Sequence, residues 1–381
     1  MFLRALFVWL GQWAPWLLNR LSPSKIIFLD RDFPGATALA EPALLKRLHF
    51  RQLRLQEEAS RPLPERNWGI SFDFSSVAKV TLISSFFFRP HRCHVSGLPV
   101  GVFLPHGPIF AEVSLDWKNP RFDHSLLRRL WLPRPVRLSG RGALLATTGG
   151  ETYFHWLWDV LPRIGLLEHA GEALGSFDYF LINQPPHPGL LSPLESMGIS
   201  REKLVFLKKR SHFICDDLAV PSLPGPTGDP PMDSFNFLRR FLPSERGKND
   251  PSHRYLLISR NRAKCRRLLN EDAVLAALRP WEFRRIFLED FSFQDQVRLF
   301  HQAEIVISPH GAGLANLVFC RAGTKVIELF GSEFNPCYWA VAGGSGCRYA
   351  CWQAEAIGRD LQVNPSSFRA AFETWLEPSS K

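Results

Sequence analysis

The stretch EIVISPHGAGLANLVF (304–319) combines a buried strand, a glycine-rich turn and a helix start in sixteen residues. The strand ends at Pro309 and hands over to His310, Gly311, Ala312 and Gly313. In an open parallel sheet this is the carboxyl edge, where ligands bind. Small residues let a phosphate approach the backbone, and a helix start offers it unpaired N–H groups. A tight turn that needs glycine only for packing would look the same. His310 adds a side-chain donor at that edge, although a histidine bonded inside the protein is an equal reading.

A second concentration is RYLLISRNRAKCRRLLNED (254–272). Five Arg and one Lys fall between Arg254 and Arg267, with no acid among them. Arg260 follows a strand end, on the edge that carries the 310–313 turn if the strands are parallel. Guanidinium forks pair bidentately with phosphate oxygens, which suits a diphosphate. A charge run is ordinarily a solvated loop, but two anion-friendly elements on one edge weigh against that. No nucleic-acid motif or aromatic platform accompanies the cluster, so no specific nucleic acid is expected.

A third is GGETYFHWLWDVLPRIGLLEHAG (149–171), where His155 and Asp159 are four apart and share a helix face. A carboxylate so placed fixes the imidazole tautomer, and either group can take a proton from a hydroxyl. No third ligand follows at zinc spacing, so no metal site is expected. The plain alternative is a Trp-rich core helix whose His and Asp satisfy each other. In TKVIELF (324–330), Glu328 puts a charge inside an apolar strand, which needs a partner. Pairing with an arginine and contact with ribose or sugar hydroxyls are equal readings there.

These groups must be held by alternating strands and helices. A short strand is expected at 26–29, a helix over 43–58 and β structure across 78–117. Then come a strand at 143–147, the helix 152–169, strands at 179–182, 204–207 and 213–220, and a helix at 189–196. The stretch 221–235 has seven Pro or Gly in fifteen residues and reads as a linker. Beyond it the pattern predicts strands at 255–259, 285–288, 305–308 and 325–329, separated by helices at 270–278, 292–303 and 311–319. Strands separated by single helices imply a parallel, Rossmann-like sheet. The expected divisions are a segment 1–24, an α/β acceptor-side domain 25–220, the linker 221–235, a nucleotide-binding domain 236–345, and a tail 346–381 that is helical at its end.

Composition sets the outer bounds. The 381 residues exceed one ordinary domain, and 45% hydrophobic content with 22% charged describes a folded protein. A net charge of +10 suggests acidic partners. Seven Cys without a CxxC pair argue against a disulfide scaffold or zinc ribbon, and none of the eleven Asn opens a glycosylation acceptor. A reducing bacterial cytoplasm is the expectation. Between Arg4 and Arg20 the uncharged stretch is fifteen residues long, too short to span a bilayer, and no cleavage site follows it. Its Trp9, Trp13 and Trp16 suit an anionic membrane surface, which would place the protein at the inner face of the plasma membrane. A helix docked on the protein body is the alternative.

HWLWDVLPR, ISRNRAKCRRLLNED, LEDFSFQDQVRLFHQAEIVISPHGAGLANLVF and GTKVIELF together, in this order, resemble glycosyltransferase family 61, across 149–330. The resemblance, to a bacterial capsular-polysaccharide type of member, implies two Rossmann-like domains facing each other across a cleft (a GT-B-like fold). It implies inverting transfer of a sugar from a nucleotide-sugar donor to a glycan or lipid-linked saccharide acceptor, in capsular, exo- or lipopolysaccharide synthesis. No cofactor and no obligatory metal are implied. Carried over position by position, Arg260 and Arg267 become diphosphate ligands, His310 to Gly313 the phosphate loop, and Glu328 a donor contact. His155 and Asp159 become the base pair, with His155 favoured as the base. The rivals are a non-catalytic basic module that binds nucleic acid or another polyanion, and a nucleotide-sugar epimerase. The second would call for a G-x-G-x-x-G after a strand, which is missing.

Overall fold

The computed structural model describes residues 48–54, 57–82, 84–104, 109–110, 112–117, 124–129, 132–243 and 254–376. The segment 1–24 and the expected strand at 26–29 lie outside them. The chain divides into two compact units, Met1–Leu55 with Ser84–Pro224, and Gln56–Ile83 with Gly225–Lys381. The division at 224/225 falls inside the Pro- and Gly-rich stretch. Residues 56–83 belong to the second unit, and so does the whole tail after 345, which corrects the expected divisions. The described part of the expected helix 43–58 is also different: Arg51–Arg54 and Glu57–Ser60 are strands. Each pairs with an antiparallel neighbour, Ser85–Phe88 and Lys79–Leu82, and that pairing outweighs local helix propensity.

In the first unit an eight-stranded sheet is mixed. His212–Pro221, Val136–Leu144, Tyr179–Asn183 and Leu204–Leu207 lie side by side and parallel. Ser85–Phe88 and His91–Ser96 join His212–Pro221 antiparallel, so this sheet is not a purely parallel Rossmann layer. Its core includes Phe88, Val95, Val102, Leu144, Leu181, Leu218 and Val220, all without exposure.

The second unit carries a six-stranded sheet in which every neighbouring pair is parallel. Counted from Tyr255–Ile258 as first, the second is Arg284–Ile286, the third Ile305–Pro309, the fourth Lys325–Phe330 and the fifth Arg348–Gln353. Their order across the sheet is 2-1-3-4-5, and Arg66–Trp68 adds to the far edge. In this order the topological switch point, where ligands bind, lies between the carboxyl ends of the first and third strands. The helix Pro365–Leu376 buries Phe368, Phe372 and Trp375 against a cluster with Leu257, Ile307 and Leu329. Helix Phe293–Gln302 starts at Ser292, whose Oγ accepts from the Asp295 N–H at 3.2 Å.

Candidate functional site

The switch point is occupied by two of the expected residues. Arg260 and Gly311 each stand two positions past the ends of the first and third strands. A Cβ placed on Gly311 would fall 2.0 Å from Arg260 Nη1 and 2.6 Å from its Cζ, so the guanidinium lies directly on the glycine. The φ of Gly311 is 170°, ordinary extended backbone, and glycine is therefore required here for closeness alone. Arg260 Nη2 donates to the Cys265 carbonyl at 3.3 Å, while its Nε is buried without a hydrogen-bond partner. Burial first, and then the charge of Arg266, pull this guanidinium below its ordinary pKa. A bound anion would relieve both.

The arginine run separates under this geometry. Arg254 pairs with Glu304 at 2.7 Å, Arg262 with Asp290 at 2.6 Å, and Arg267 with Asp360 at 2.5 Å. Arg267 also bonds Asp360 through Nε at 3.0 Å and through its backbone N–H at 2.9 Å. It ties the loop to the Asp360–Gln362 strand, so the guanidinium expected to grip a diphosphate is engaged with a carboxylate here. Arg266 has a left-handed φ of 58°, unusual for this residue type, with its N–H bonded to the Arg359 carbonyl at 2.7 Å. Its Nε is buried without a partner, and it meets no carboxylate among the described residues.

His310 is 7% exposed, with its ring stacked on Phe330 (5.4 Å between centroids) and tilted against Tyr338 (5.0 Å). Its Nδ1 lies 2.5 Å from Glu328 Oε1, and Tyr349 Oη donates to Glu328 Oε2 at 2.6 Å. Glu328 is fully buried, and both of its oxygens are engaged by protein groups. Ala312 opens an eight-residue 3₁₀ helix, Ala312–Phe319. Gly313 packs: a Cβ there would meet Leu288 Cδ1 at 2.6 Å and Ile258 Cγ2 at 3.4 Å. Its glycine serves the fit of the turn onto the sheet.

The first unit carries the expected pair His155 and Asp159. The helix expected at 152–169 is α over Tyr153–His155, π over Trp156–Val160 and α again over Pro162–His169. Pro162 lacks an N–H, and the Leu161 N–H reaches back five residues to the Trp156 carbonyl at 3.1 Å, the bond that makes the π turn. His155 Nδ1 and Asp159 Oδ2 are 2.7 Å apart, with side chains 17% and 8% exposed. The more open of the two is the histidine. Below them Arg163, fully buried, donates from Nη1 to the Ala146 carbonyl at 2.7 Å and from Nη2 to the Pro221 carbonyl. Burial pulls its guanidinium down to about 9, still above neutrality, and Asp159 opposes the fall. His155, Asp159 and Arg163 thus follow one another at four-residue spacing, and Arg163 is anchored on the Ala146 and Pro221 carbonyls. Trp117, 55% exposed, lays its ring 4.7 Å from that of His155 and over Gly149. Among the described residues no three His, Cys, Asp or Glu side chains gather as a metal site.

A family model, Glycosyltransferase 61, matches residues 153–327. That segment of the chain is similar to glycosyltransferase family 61. Among its relatives is the rat (Rattus norvegicus) EGF domain-specific O-linked N-acetylglucosamine transferase, 30% identical over 32% of this chain and 24% of that protein. Another is the human (Homo sapiens) protein O-linked-mannose beta-1,4-N-acetylglucosaminyltransferase 2, 29% identical over 50% of this chain and 35% of that one. The chain therefore spans between about a quarter and a third of these relatives' length. The family-61 segment contains His155, Asp159, Arg163, Arg260, Arg266 and the 310–313 turn, and Glu328 follows its last residue. Of the residues that sequence reasoning passed over, Arg163 had a signal, since it stands four positions after Asp159 on the same face. Arg266, Tyr338, Tyr349 and Trp117 had none, because only folding brings Arg266 to Arg260, Tyr338 to His310, Tyr349 to Glu328 and Trp117 to His155.

Proposed function

We propose that this protein is an inverting glycosyltransferase that moves a sugar from a nucleotide-sugar donor to a glycan or lipid-linked saccharide hydroxyl, on a GT-B-like pair of units and without an obligatory metal. The observation that carries the reading is the pair of arginines without a carboxylate, Arg260 lying on Gly311 at the switch point. Fixed positive charge there suits a diphosphate both on binding and as negative charge develops on it during transfer. His155 would take the acceptor hydroxyl's proton at Nε2 while Asp159 holds Nδ1–H and Arg163 supports the carboxylate. Three arginines of the basic run are spent on internal carboxylates, which weighs against a polyanion-binding stripe.

Both named relatives carry N-acetylglucosaminyl transfer in their names, so a nucleotide-activated N-acetylglucosamine is the first donor to try. The cellular setting we propose is capsular, exo- or lipopolysaccharide synthesis at the cytoplasmic face of the membrane, with 1–24 as an interfacial segment. No helix among the described residues is long and apolar enough to cross a membrane. Nucleotide sugars screened for thermal stabilisation test the donor half: a ligand at about 100 times its Kd adds roughly 2.7 kcal/mol. No stabilisation by any of them, with no sugar-nucleotide turnover, refutes the reading. Deletion of residues 1–21 should release the protein from anionic liposomes while nucleotide binding persists. Continued attachment to the liposomes counts against the interfacial role.

A further inference from the structure

Resting on the reading that the acceptor is a saccharide, we propose that Trp117 is the platform on which the acceptor's pyranose ring stacks, beside His155. Of the described Phe, Tyr and Trp side chains, Trp117 alone is exposed, at 55%. A single apolar side chain in water is ordinary on a surface, but this one is held in place. The residues that lead to it are each tied down. Ser114 Oγ accepts from the Val102 N–H at 3.0 Å, the Leu115 carbonyl from Thr148 Oγ1, and Asp116 Oδ2 from the Ser125 N–H at 2.9 Å. The indole itself rests on Gly149, where a Cβ would fall 1.9 Å from its Cη2. Gly149 also has a φ of 82°, so the turn and the close approach both call for glycine. Thr152 closes that turn, donating from its N–H and Oγ1 to the Gly149 carbonyl at 2.8 and 3.0 Å. A loop and a floor fixed in this way set the ring before any ligand arrives, which lowers the cost of binding.

The chemistry around that ring matches one kind of occupant. A pyranose has an apolar face of C–H groups and a rim of hydroxyls. The C–H groups carry slight positive charge and the face of an aromatic ring is its negative side, so the two attract as apolar area leaves water. The rim finds polar groups beside the indole. Glu151 and Thr152 are exposed on the turn that carries Gly149, and the His155 ring lies 4.7 Å from the indole between centroids. The Nδ1 of that imidazole is taken by Asp159 Oδ2 at 2.7 Å. A sugar laid on the indole therefore brings its rim hydroxyls beside the imidazole that takes the proton. A lipid chain would cover the indole as well, but it brings no hydroxyl to His155. A hydroxyl on an open chain reaches His155 and leaves the indole uncovered. Trp117 thus selects acceptors whose hydroxyl sits on a ring, and it does so by contact alone, with no bond formed or broken. It lies in the same compact unit as His155 and Asp159, so the acceptor's ring and its reacting hydroxyl are held by one body.

The test is saturation-transfer NMR of N,N′-diacetylchitobiose, cellobiose, maltose and xylobiose, each with the full chain, with and without UDP or GDP. The expected result is that at least one disaccharide binds the wild type, with the strongest saturation on the C–H protons of one ring face. Trp117→Ala should weaken that binding by about tenfold or more, the scale of one aromatic contact with its buried area. Trp117→Leu, which keeps apolar cover over Gly149 and has no ring, should lose as much, and it carries the test if the alanine variant fails to fold. Trp117→Phe keeps a ring and should bind within a few-fold of the wild type. Disaccharide binding by Trp117→Ala or Trp117→Leu equal to that of the wild type overturns the proposal, as does failure of all of these disaccharides to bind the wild type. UDP and GDP affinities measured on the same samples separate the platform from the reading it rests on. Nucleotide binding without disaccharide binding refutes the platform alone. Disaccharide binding that depends on Trp117, without nucleotide binding, upholds the platform and refutes the nucleotide-sugar donor.

Discussion

Replacing Gly311 by alanine puts a methyl group where the Arg260 guanidinium now lies, 2.0 Å from Nη1 and 2.6 Å from Cζ. Something must move, and the arginine is the mobile partner because it is the far end of a long side chain. The fold should survive with a stability change below about 1 kcal/mol, since no backbone or packed core atom is struck. The anion site should not survive, because the guanidinium is pushed from its place. The expected loss is that of one charge-assisted hydrogen bond, about 1.5–3 kcal/mol, or roughly 10- to 150-fold in Kd for a nucleoside diphosphate. Gly313→Ala supplies the contrast. Its methyl would meet Leu288 Cδ1 at 2.6 Å within the packed turn, so overpacking of about 1–3 kcal/mol should appear in stability. Calorimetric titration with UDP or GDP, beside urea denaturation, separates the two. A double-mutant cycle sharpens the result: if Gly311→Ala acts by displacing Arg260, adding it to Arg260→Ala should cost little more affinity. Full additivity of the two, or unchanged affinity in Gly311→Ala alone, would refute the argument.

His155→Ala should lower turnover by about 10²–10⁴ with donor affinity held within a few-fold, because base catalysis is felt in the transition state; normal turnover in a folded His155→Ala and in Asp159→Asn makes the pair structural. Transfer should persist in EDTA, and loss of transfer that manganese restores would sink the metal-free mechanism. Burial pulls His212 below its ordinary pKa, so the unfolded state binds more protons as pH falls through about 6.5 and stability drops there. Urea denaturation at pH 5.5 and 7.5 should show a loss of at most about 1.4 kcal/mol per pH unit from this group, flattened in His212→Gln, and an identical pH dependence in the variant contradicts it.

The parts of the fold that could be read in the chain were those whose burial is complete. Tyr255–Ile258, Ile305–Pro309 and Lys325–Phe330 are nearly unbroken apolar runs because a parallel strand is covered on both faces. Arg66–Trp68 is the opposite case. Three residues, two of them polar, carry no pattern, and the segment is a strand only because it pairs with Ala350–Trp352. The same cause explains Arg51–Arg54 and Glu57–Ser60, which were read as helix and are extended by their antiparallel partners. An edge strand owes its form to its neighbour, and the neighbour is distant in sequence.

That argument extends from strands to charges. The run from Arg254 to Arg267 announces positive charge, but the carboxylates that consume half of it arrive from elsewhere: Glu304 is 50 residues from Arg254, Asp290 28 from Arg262, and Asp360 93 from Arg267. Among the arginines, what remains is set by subtraction, and it falls on Arg260 and Arg266. The family resemblance pointed to Arg267, and nothing in the sequence distinguishes it from its neighbour until Asp360 is in place. Glu328 obeys the same logic with the opposite result. Its position in an apolar strand showed that it must have a partner, and the parallel register supplies two, His310 from one side and Tyr349 from the other, 18 and 21 residues away. A charge that folding pairs becomes a support. Arg260 and Arg266, which folding brings together and leaves without a carboxylate among the described residues, are where a ligand is needed to complete the electrostatics.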